Sequence, residues 1–278
     1  MEDATRMQKF RASDGIDIAY CVDDFTDPWQ DTKTLILLHS AMANAQRFYA
    51  WVPPLARHYR VIRMDLRGHG QSDIPPADPP LSMDRLVRDV VDLMDHLGLA
   101  SAHFAGNSAG GYLTQNLAMS HPSRILSACL FGSTPGLKNT QAASWLPQVA
   151  EKGLRGFLAE TIAERFDLDE TDPGIVEFFL DQCAENDTAF IGRFIGLMTT
   201  LDWRDRLAEI RCPTLIVMPG AETVGGTDNY DVMRETIPDM EFLAYEGMPH
   251  NICDAVPDRC AADILAFLER RFGNHAGL

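Results

Sequence analysis

The chain has 278 residues, 46% of them hydrophobic, and a formal net charge of −16. That length and apolar content suit one large buried core and exclude a disordered chain. The acidic balance, without a long basic run, argues against nucleic acid or an anionic membrane as partner, and no apolar run approaches the ~20 residues of a membrane span.

In chain order, the first signal is alternation. Met7 to Arg11 and Ile16 to Tyr20 flank Asp14-Gly15, which reads as a hairpin with its turn. Six apolar runs then read as strands buried on both faces: Thr34 to Leu38, Val61 to Met64, Ala102 to Ala105, Ile125 to Phe131, Leu215 to Met218 and Phe242 to Tyr245. Helical patterns lie between them. Residues 83–97 put Leu86, Val90, Leu93, Met94 and Leu97 on one face, and Gly98 suits the end. A helix is expected over Gly111 to Met119, and the last one from Pro257 to about Phe272. Strand–helix alternation predicts an α/β fold with a mostly parallel sheet between helical layers. One stretch interrupts it. From Gly136 to Asp205 the pattern is helical only, with segments at Ala150–Phe166, Gly174–Cys183 and Thr188–Met198. The expected organisation is a core of residues 1–135 and 206–278, and a helical cap or lid of residues 136–205 after the sixth strand-forming run of the core.

The remaining signals are mostly exclusions. Residues 1–6 lack a basic segment followed by an apolar one, so no secretory signal is expected and the cytoplasm is the expected location. The six cysteines form no C-x-x-C pair and read as small core residues in a reducing compartment. No His/Cys cluster has metal-ligand spacing, so neither metal nor cofactor is expected.

Gly106-Asn107-Ser108-Ala109-Gly110 carries the most chemistry. G-x-S-x-G between a strand and a helix is a nucleophile elbow: the glycines permit a turn too tight for side chains, and the turn holds the serine hydroxyl at the top of the sheet. A serine hydroxyl needs a base within reach and the base needs an orienting carboxylate. Among eight histidines, His250 follows a strand and precedes the final helix, on the rim where α/β folds build sites. Glu222 lies four residues past the Leu215–Met218 run and gives the chain order Ser108, Glu222, His250; Asp228 is the competing acid. The oxyanion donors expected are the N–H groups of Ala109 and, by position in the loop His39-Ser40-Ala41-Met42, of Ala41. Arg193, a lone cation in an apolar helical stretch, is either an anchor for a substrate carboxylate or a solvent-facing residue. Trp145 is a second candidate substrate contact, with packing as the competing reading; Trp203 reads as packing.

Five stretches together resemble α/β-hydrolases of the 3-oxoadipate enol-lactone hydrolase type: Leu38 to Ala41, Met64 to Ser72, Gly106 to Gly111, Arg211 to Leu215 and Gly247 to His250. The resemblance spans about Phe10 to Phe272. It implies the α/β-hydrolase fold, with an eight-stranded sheet, and a serine hydrolase that cleaves a small ester or lactone, an enol-lactone-like carboxylic substrate, through an acyl-enzyme. Such enzymes typically use the Asp65–Ser72 run as a structural turn, which implies a structural role for His69. Three departures stand out. His39-Ser40 replaces a common His-Gly, Glu222 stands where Asp is usual, and the elbow is also close to that of carbon–carbon bond hydrolases of ring-cleavage products. Those relatives carry an early His-Gly-x-Gly and a tryptophan after the histidine, where this chain has Ser40 to Met42 and Asn251, so that reading ranks second. A cofactor-free oxygenase and a ligand-binding protein stay open on the same fold. The expected partner is a small-molecule substrate, and a homodimer is left open.

Overall fold

Apolar side chains in the central strands alternate between two faces, and two helical layers close over them. The structure, a computed structural model, describes residues 7–138 and 140–273; the stretch 1–6 read above lies outside these. Its strands are β1 (Gln8–Arg11), β2 (Asp17–Asp23), β3 (Thr34–Leu38), β4 (Arg60–Met64), β5 (Ala102–Asn107), β6 (Ile125–Phe131), β7 (Thr214–Pro219) and β8 (Met240–Tyr245). They form one eight-stranded sheet in the order β1-β2-β4-β3-β5-β6-β7-β8. β1 pairs with β2 and β2 with β4 antiparallel, and the other five pairings are parallel. Ile36, Leu38, Ile62, Phe104 and Ile216 point into one core, and Leu35, Leu37, Val61, Ala105 and Leu215 into the other, as the two-residue side-chain period requires.

The helices are α1 (Val52–Leu55), α2 (Met83–His96), α3 (Ala109–Ser120), α4 (Trp145–Glu160), α5 (Pro173–Ala184), α6 (Thr188–Met198), α7 (Asn229–Thr236), α8 (Ile252–Ala255) and α9 (Pro257–Phe272). Side chains of α2, α3 and α7 belong to the first core, and those of α1, α8 and α9 to the second. No described helix is long and apolar enough to cross a membrane. The short helices α1, α7 and α8 are too brief to leave a periodic signal. Between β6 and β7 lie α4, α5 and α6, whose apolar faces continue the first core. Asp172 and Asp187 cap α5 and α6 by accepting from the N–H groups of Gly174 and Phe190, each at 2.7 Å.

The expected helix from Ala150 to Phe166 differs from the structure in three ways. α4 begins earlier, at Trp145; it is broken at Gly153, whose φ is +68°; and it ends at Glu160. Past it, Thr161 donates its hydroxyl to the Phe157 carbonyl and takes a non-helical conformation. Such back-bonding competes with helix continuation. The chain then makes a short 3₁₀ turn, Ile162–Glu164, with Arg165 just past it.

The Asp65–Ser72 turn is built on one carboxylate. Asp65 accepts from the Ala45 N–H at 2.6 Å and the Gln71 N–H at 2.8 Å. His69 is buried within the turn, donates Nδ1–H to the Arg67 carbonyl at 3.1 Å, and packs edge-on against Phe190 and Phe194 of α6 and against His39. Its role here is structural. Burial holds its pKa down to about 4, with the Arg67 and Leu66 contacts opposing. Because the folded value lies below the ordinary ~6.5, the unfolded chain takes up the proton first, and stability is lost as pH falls from about 6.5 to about 4. His39 is buried beside it and is shifted the same way. For His69 alone the loss amounts to about 3 kcal/mol. Urea denaturation of His69→Gln should therefore show a flatter pH dependence than wild type between pH 7 and 4.5. An unchanged slope would mean that the ring is not held neutral.

Candidate active site

Strand register gathers the candidate residues. Leu38 pairs with Gly106, Asn107 with Phe131, Phe131 with Val217 and Pro219 with Tyr245. The parallel strands therefore end together, and the loops after them leave the sheet at one edge, where α/β folds place their sites. Two of these loops are stitched by backbone bonds: Gly220 N–H to Tyr245 O and Ala221 N–H to Met248 O, both 2.9 Å.

Ser108 stands between β5 and α3 with φ +49° and ψ −111°. A non-glycine residue at positive φ is strained, and surrounding structure must hold it. Its N–H donates to the Phe131 carbonyl at 2.9 Å, and its own carbonyl accepts from the Ser133 hydroxyl at 3.0 Å. The neighbouring glycines are sterically required. A Cβ on Gly106 would come within 2.5 Å of the Gly110 backbone, and one on Gly110 would overlap the Leu38 carbonyl.

Glu222 and His250 form a buried pair. His250 Nδ1 donates to Glu222 Oε2 at 2.6 Å, and Glu222 Oε1 accepts from the Val224 and Gly225 N–H groups at 2.7 and 3.1 Å. Burial raises the Glu222 pKa, but His250 and the two N–H donors outweigh it and hold the carboxyl below its ordinary value. The group is thus an anion at neutral pH. It assigns the proton to His250 Nδ1 and leaves Nε2 as a lone pair. The loop folds back on itself around Oε1, which accommodates the extra methylene of glutamate. Asp228 is exposed at the N-terminal end of α7, apart from this pair.

The loop after β3 is set by His39. Its Nε2 accepts from the Leu66 N–H at 2.9 Å, so Nδ1 carries the hydrogen and donates to the Ser40 carbonyl at 2.7 Å. Ala43 N–H donates to the same carbonyl at 3.3 Å. In a trans peptide the C=O and the next N–H point in opposite directions, so fixing the Ser40 carbonyl turns the Ala41 N–H the other way. Ala109 opens α3, where the first N–H groups have no intrahelical acceptor. Both residues line the cavity that Ser108 and His250 line. Asn186, between α5 and α6, braces the same loop by donating to the Met42 carbonyl at 3.0 Å.

That cavity has a volume of about 50 Å³. Ser108, His250 and Asn251 line it from the strand ends, and Trp145, Phe179 and Met198 from the helices between β6 and β7. Trp145 therefore lies in the cavity wall, whereas Trp203 packs against the first core. Arg193 is not in the cavity. Its Nη1 and Nη2 donate to the carbonyls of Pro76 and Pro75 at 2.8 and 2.9 Å, and its guanidinium lies over the Phe190 ring. Its position on the outer side of α6 made it a strut to a proline-rich loop, which the helical pattern could not disclose. The cavity's cation is Arg165, which sequence reasoning missed. No periodic signal marked it, because the helix that seemed to contain it ends before it.

Comparison with known proteins gives the family of the fold. Residues 33–168 match the family model for the alpha/beta hydrolase fold. The chain is 30% identical over 217 residues to 3-oxoadipate enol-lactonase 2 of Acinetobacter baylyi, covering 77% of this chain and 76% of that one. It belongs to the α/β-hydrolase family. Among solved structures, a hydrolase from Pseudomonas aeruginosa superposes with a TM-score of 0.85 at 28% identity, covering 96% of this chain and 99% of the other. The enol-lactonase of Burkholderia xenovorans gives 0.86 at 21% identity over 94% and 99%, a likeness of fold. The chain is thus a hydrolase of the α/β fold, similar to enol-lactonases.

The elbow's steric limits give a direct test. Gly110→Ala should cost about 2–4 kcal/mol, since a Cβ there meets backbone that cannot move aside. Gly192→Ala, in the middle of α6 with open space around it, should be neutral or stabilise by about 0.5–1 kcal/mol. Chemical denaturation of both variants checks this contrast.

Proposed function

We propose that this hydrolase opens a small ester or lactone through an acyl-enzyme on Ser108, with His250 as base and Glu222 as its orienting carboxylate. The carrying observation is the His250–Glu222 bond of 2.6 Å beside the cavity that Ser108 lines from its strained turn. Ser108 Oγ attacks the substrate carbonyl carbon while His250 Nε2 takes its proton. The tetrahedral oxyanion is held by the N–H groups of Ala109 and Ala41, each worth ~10²–10³ in rate. As the intermediate collapses, His250 returns the proton to the departing oxygen; in a lactone that oxygen stays tethered to the acyl group. Water, deprotonated by His250, then releases the acid.

The enol-lactone-like acids implied by the sequence resemblance fall within this class. Size supports a small acyl group. About 50 Å³ is room for only a few water-sized groups, far below the ~300–1,000 Å³ of drug-sized pockets. The helices from β6 to β7 act as the cap that closes this space.

Incubation with a fluorophosphonate followed by mass spectrometry should place one adduct on Ser108. Ser108→Ala should lower kcat for short esters by ~10⁴-fold or more with an unchanged circular dichroism spectrum. Glu222→Gln should lose ~10³-fold or more, and Asp228→Asn should lose little. Hydrolysis of p-nitrophenyl acetate and butyrate should exceed that of the octanoate by at least ~10-fold in kcat/KM. A folded Ser108→Ala protein with wild-type turnover would overturn the mechanism, and efficient cleavage of vinylogous 1,5-diketones without ester turnover would favour the carbon–carbon hydrolase reading.

A further inference from the structure

Gly132-Ser133-Thr134, just past β6, supplies neither acid nor base, yet it meets each of Ser108, Glu222 and His250 or the loop that carries it. The turn is anchored to the sheet, since the Gly132 N–H donates to the Val217 carbonyl at 3.1 Å. Gly132 lies against the base: a Cβ on it would stand 3.5 Å from His250 Cε1. Ser133 holds the nucleophile's backbone, sharing its hydroxyl between the Ser108 and Phe131 carbonyls, each at 3.0 Å. Thr134 reaches the acid's loop. It packs so closely on Gly225 that a Cβ there would come within 2.6 Å of the Thr134 methyl. Gly225 is the residue whose N–H donates to Glu222 Oε1 at 3.1 Å.

Thr134 is itself fixed. It is fully buried. Its hydroxyl has one hydrogen, which goes to the Gly136 carbonyl at 2.9 Å, so Tyr112 O–H is the donor in the 3.3 Å contact with Thr134 Oγ1. The Gln115 amide donates to the Thr134 carbonyl at 2.9 Å. Tyr112 and Gln115 belong to α3, the helix that Ser108 opens. With the hydroxyl committed, the stiff β-branched side chain has one direction left for its methyl, toward Gly225. From the other side, the Gly225 carbonyl accepts from the Asn229 amide at 2.7 Å. A glutamate has one more rotatable bond than an aspartate, so Oε2 keeps its place at 2.6 Å from His250 Nδ1 only while Oε1 is gripped.

We infer that Thr134 is a positioning residue for the acid: its methyl seats the Gly225 N–H against Glu222, so that one turn past β6 sets nucleophile, base and acid relative to each other. The inference rests on the roles proposed above for Ser108, His250 and Glu222. Thr134 and Gly225 stand outside the residues that line the cavity, so the effect belongs in kcat and not in KM.

Gly225→Ala sets a methyl against that of Thr134 and should lift the N–H off Oε1. With p-nitrophenyl acetate, kcat should fall by ~10–100-fold, the range that small misplacements of catalytic groups cost, with KM little changed. Thr134→Ser keeps the hydroxyl and removes the methyl; alone it should lower kcat by a smaller factor. The double variant Gly225→Ala/Thr134→Ser should exceed Gly225→Ala by at least ~5-fold in kcat, as expected for coupled residues in contact. Proton NMR reads the same geometry without turnover. The His250 Nδ1–H held by Glu222 should give a far-downfield resonance in wild type that is absent from His250→Gln. It should weaken or move upfield in Gly225→Ala and return in the double variant, whether or not any ester is cleaved, which separates this inference from failure of the hydrolase reading. Losses that multiply in the double variant overturn the proposal. So does a Gly225→Ala protein whose kcat and resonance match wild type while only its Tm falls. Should Gly225→Ala fail to fold, Thr134→Val and Thr134→Ala take its place. Both lack the hydroxyl, and valine, which keeps a methyl toward Gly225, should retain more of the resonance than alanine; an equal or reversed order overturns the proposal.

Discussion

The site depends on a backbone conformation that only a crowded neighbourhood can hold. Ser108 at φ +49° is stable because its N–H and C=O are both engaged with the end of β6 and the residues just past it, and because Gly106 and Gly110 let β5, α3 and the end of β3 approach to contact. Strain of this kind costs about 1–3 kcal/mol and must be offset elsewhere. Here the parallel register offsets it. With Leu38, Asn107, Phe131 and Pro219 at one edge, several loops brace one another and no loop stands alone.

Buried charge is handled in two ways. Inside the scaffold each cation has its carboxylate: Arg67 with Asp89, Arg63 with Asp23, and Arg47 with Asp254. The last of these has a second effect, since Asp254 lies four residues after His250 and Arg47 lies in the segment following the His39–Met42 loop. One ion pair therefore ties the segments that follow β3 and β8. At the cavity the pattern changes. Glu222 is satisfied by His250 and two N–H groups, while Arg165 meets its carboxylate, Glu164, only at 3.8 Å and hydrogen-bonds Thr161 instead.

Much of this was legible beforehand, for physical reasons that differ by residue. Strands buried on both faces write continuous apolar runs, so β3 to β7 could be read from those runs and the hairpin from its Asp14-Gly15 turn; β8 was expected to be buried on both faces too, but at the sheet edge it is only half-buried up to Tyr245. Ser108 was legible because the elbow needs glycines at fixed offsets. Glu222 and His250 were legible because loops after parallel strands share an edge. Arg193 and Arg165 show where such reading ends. Helical periodicity says which residues share a face, but not which face looks inward when both sides of a cap helix are apolar. Arg193 accordingly looked like a buried cation in an apolar stretch and is a strut to Pro75 and Pro76. Arg165 looked like one more helical residue, because the interruption at Thr161 comes from a side-chain bond to the Phe157 carbonyl, and a lone threonine carries no helix-breaking signal of its own.

That interruption also joins the cap to the chemistry. The His250 N–H donates to the Glu164 carbonyl at 3.4 Å and the Asn251 N–H to the Arg165 carbonyl at 3.0 Å, so the loop bearing His250 is held by the segment just past α4. A cap attached only through apolar faces can slide, since such contacts are non-directional. Backbone hydrogen bonds are directional, so the segment past α4 and the His250 loop hold one relative position. The α5–α6 pair is tied as well, by Asn186 to the Met42 carbonyl and by Arg193 to the carbonyls of Pro76 and Pro75.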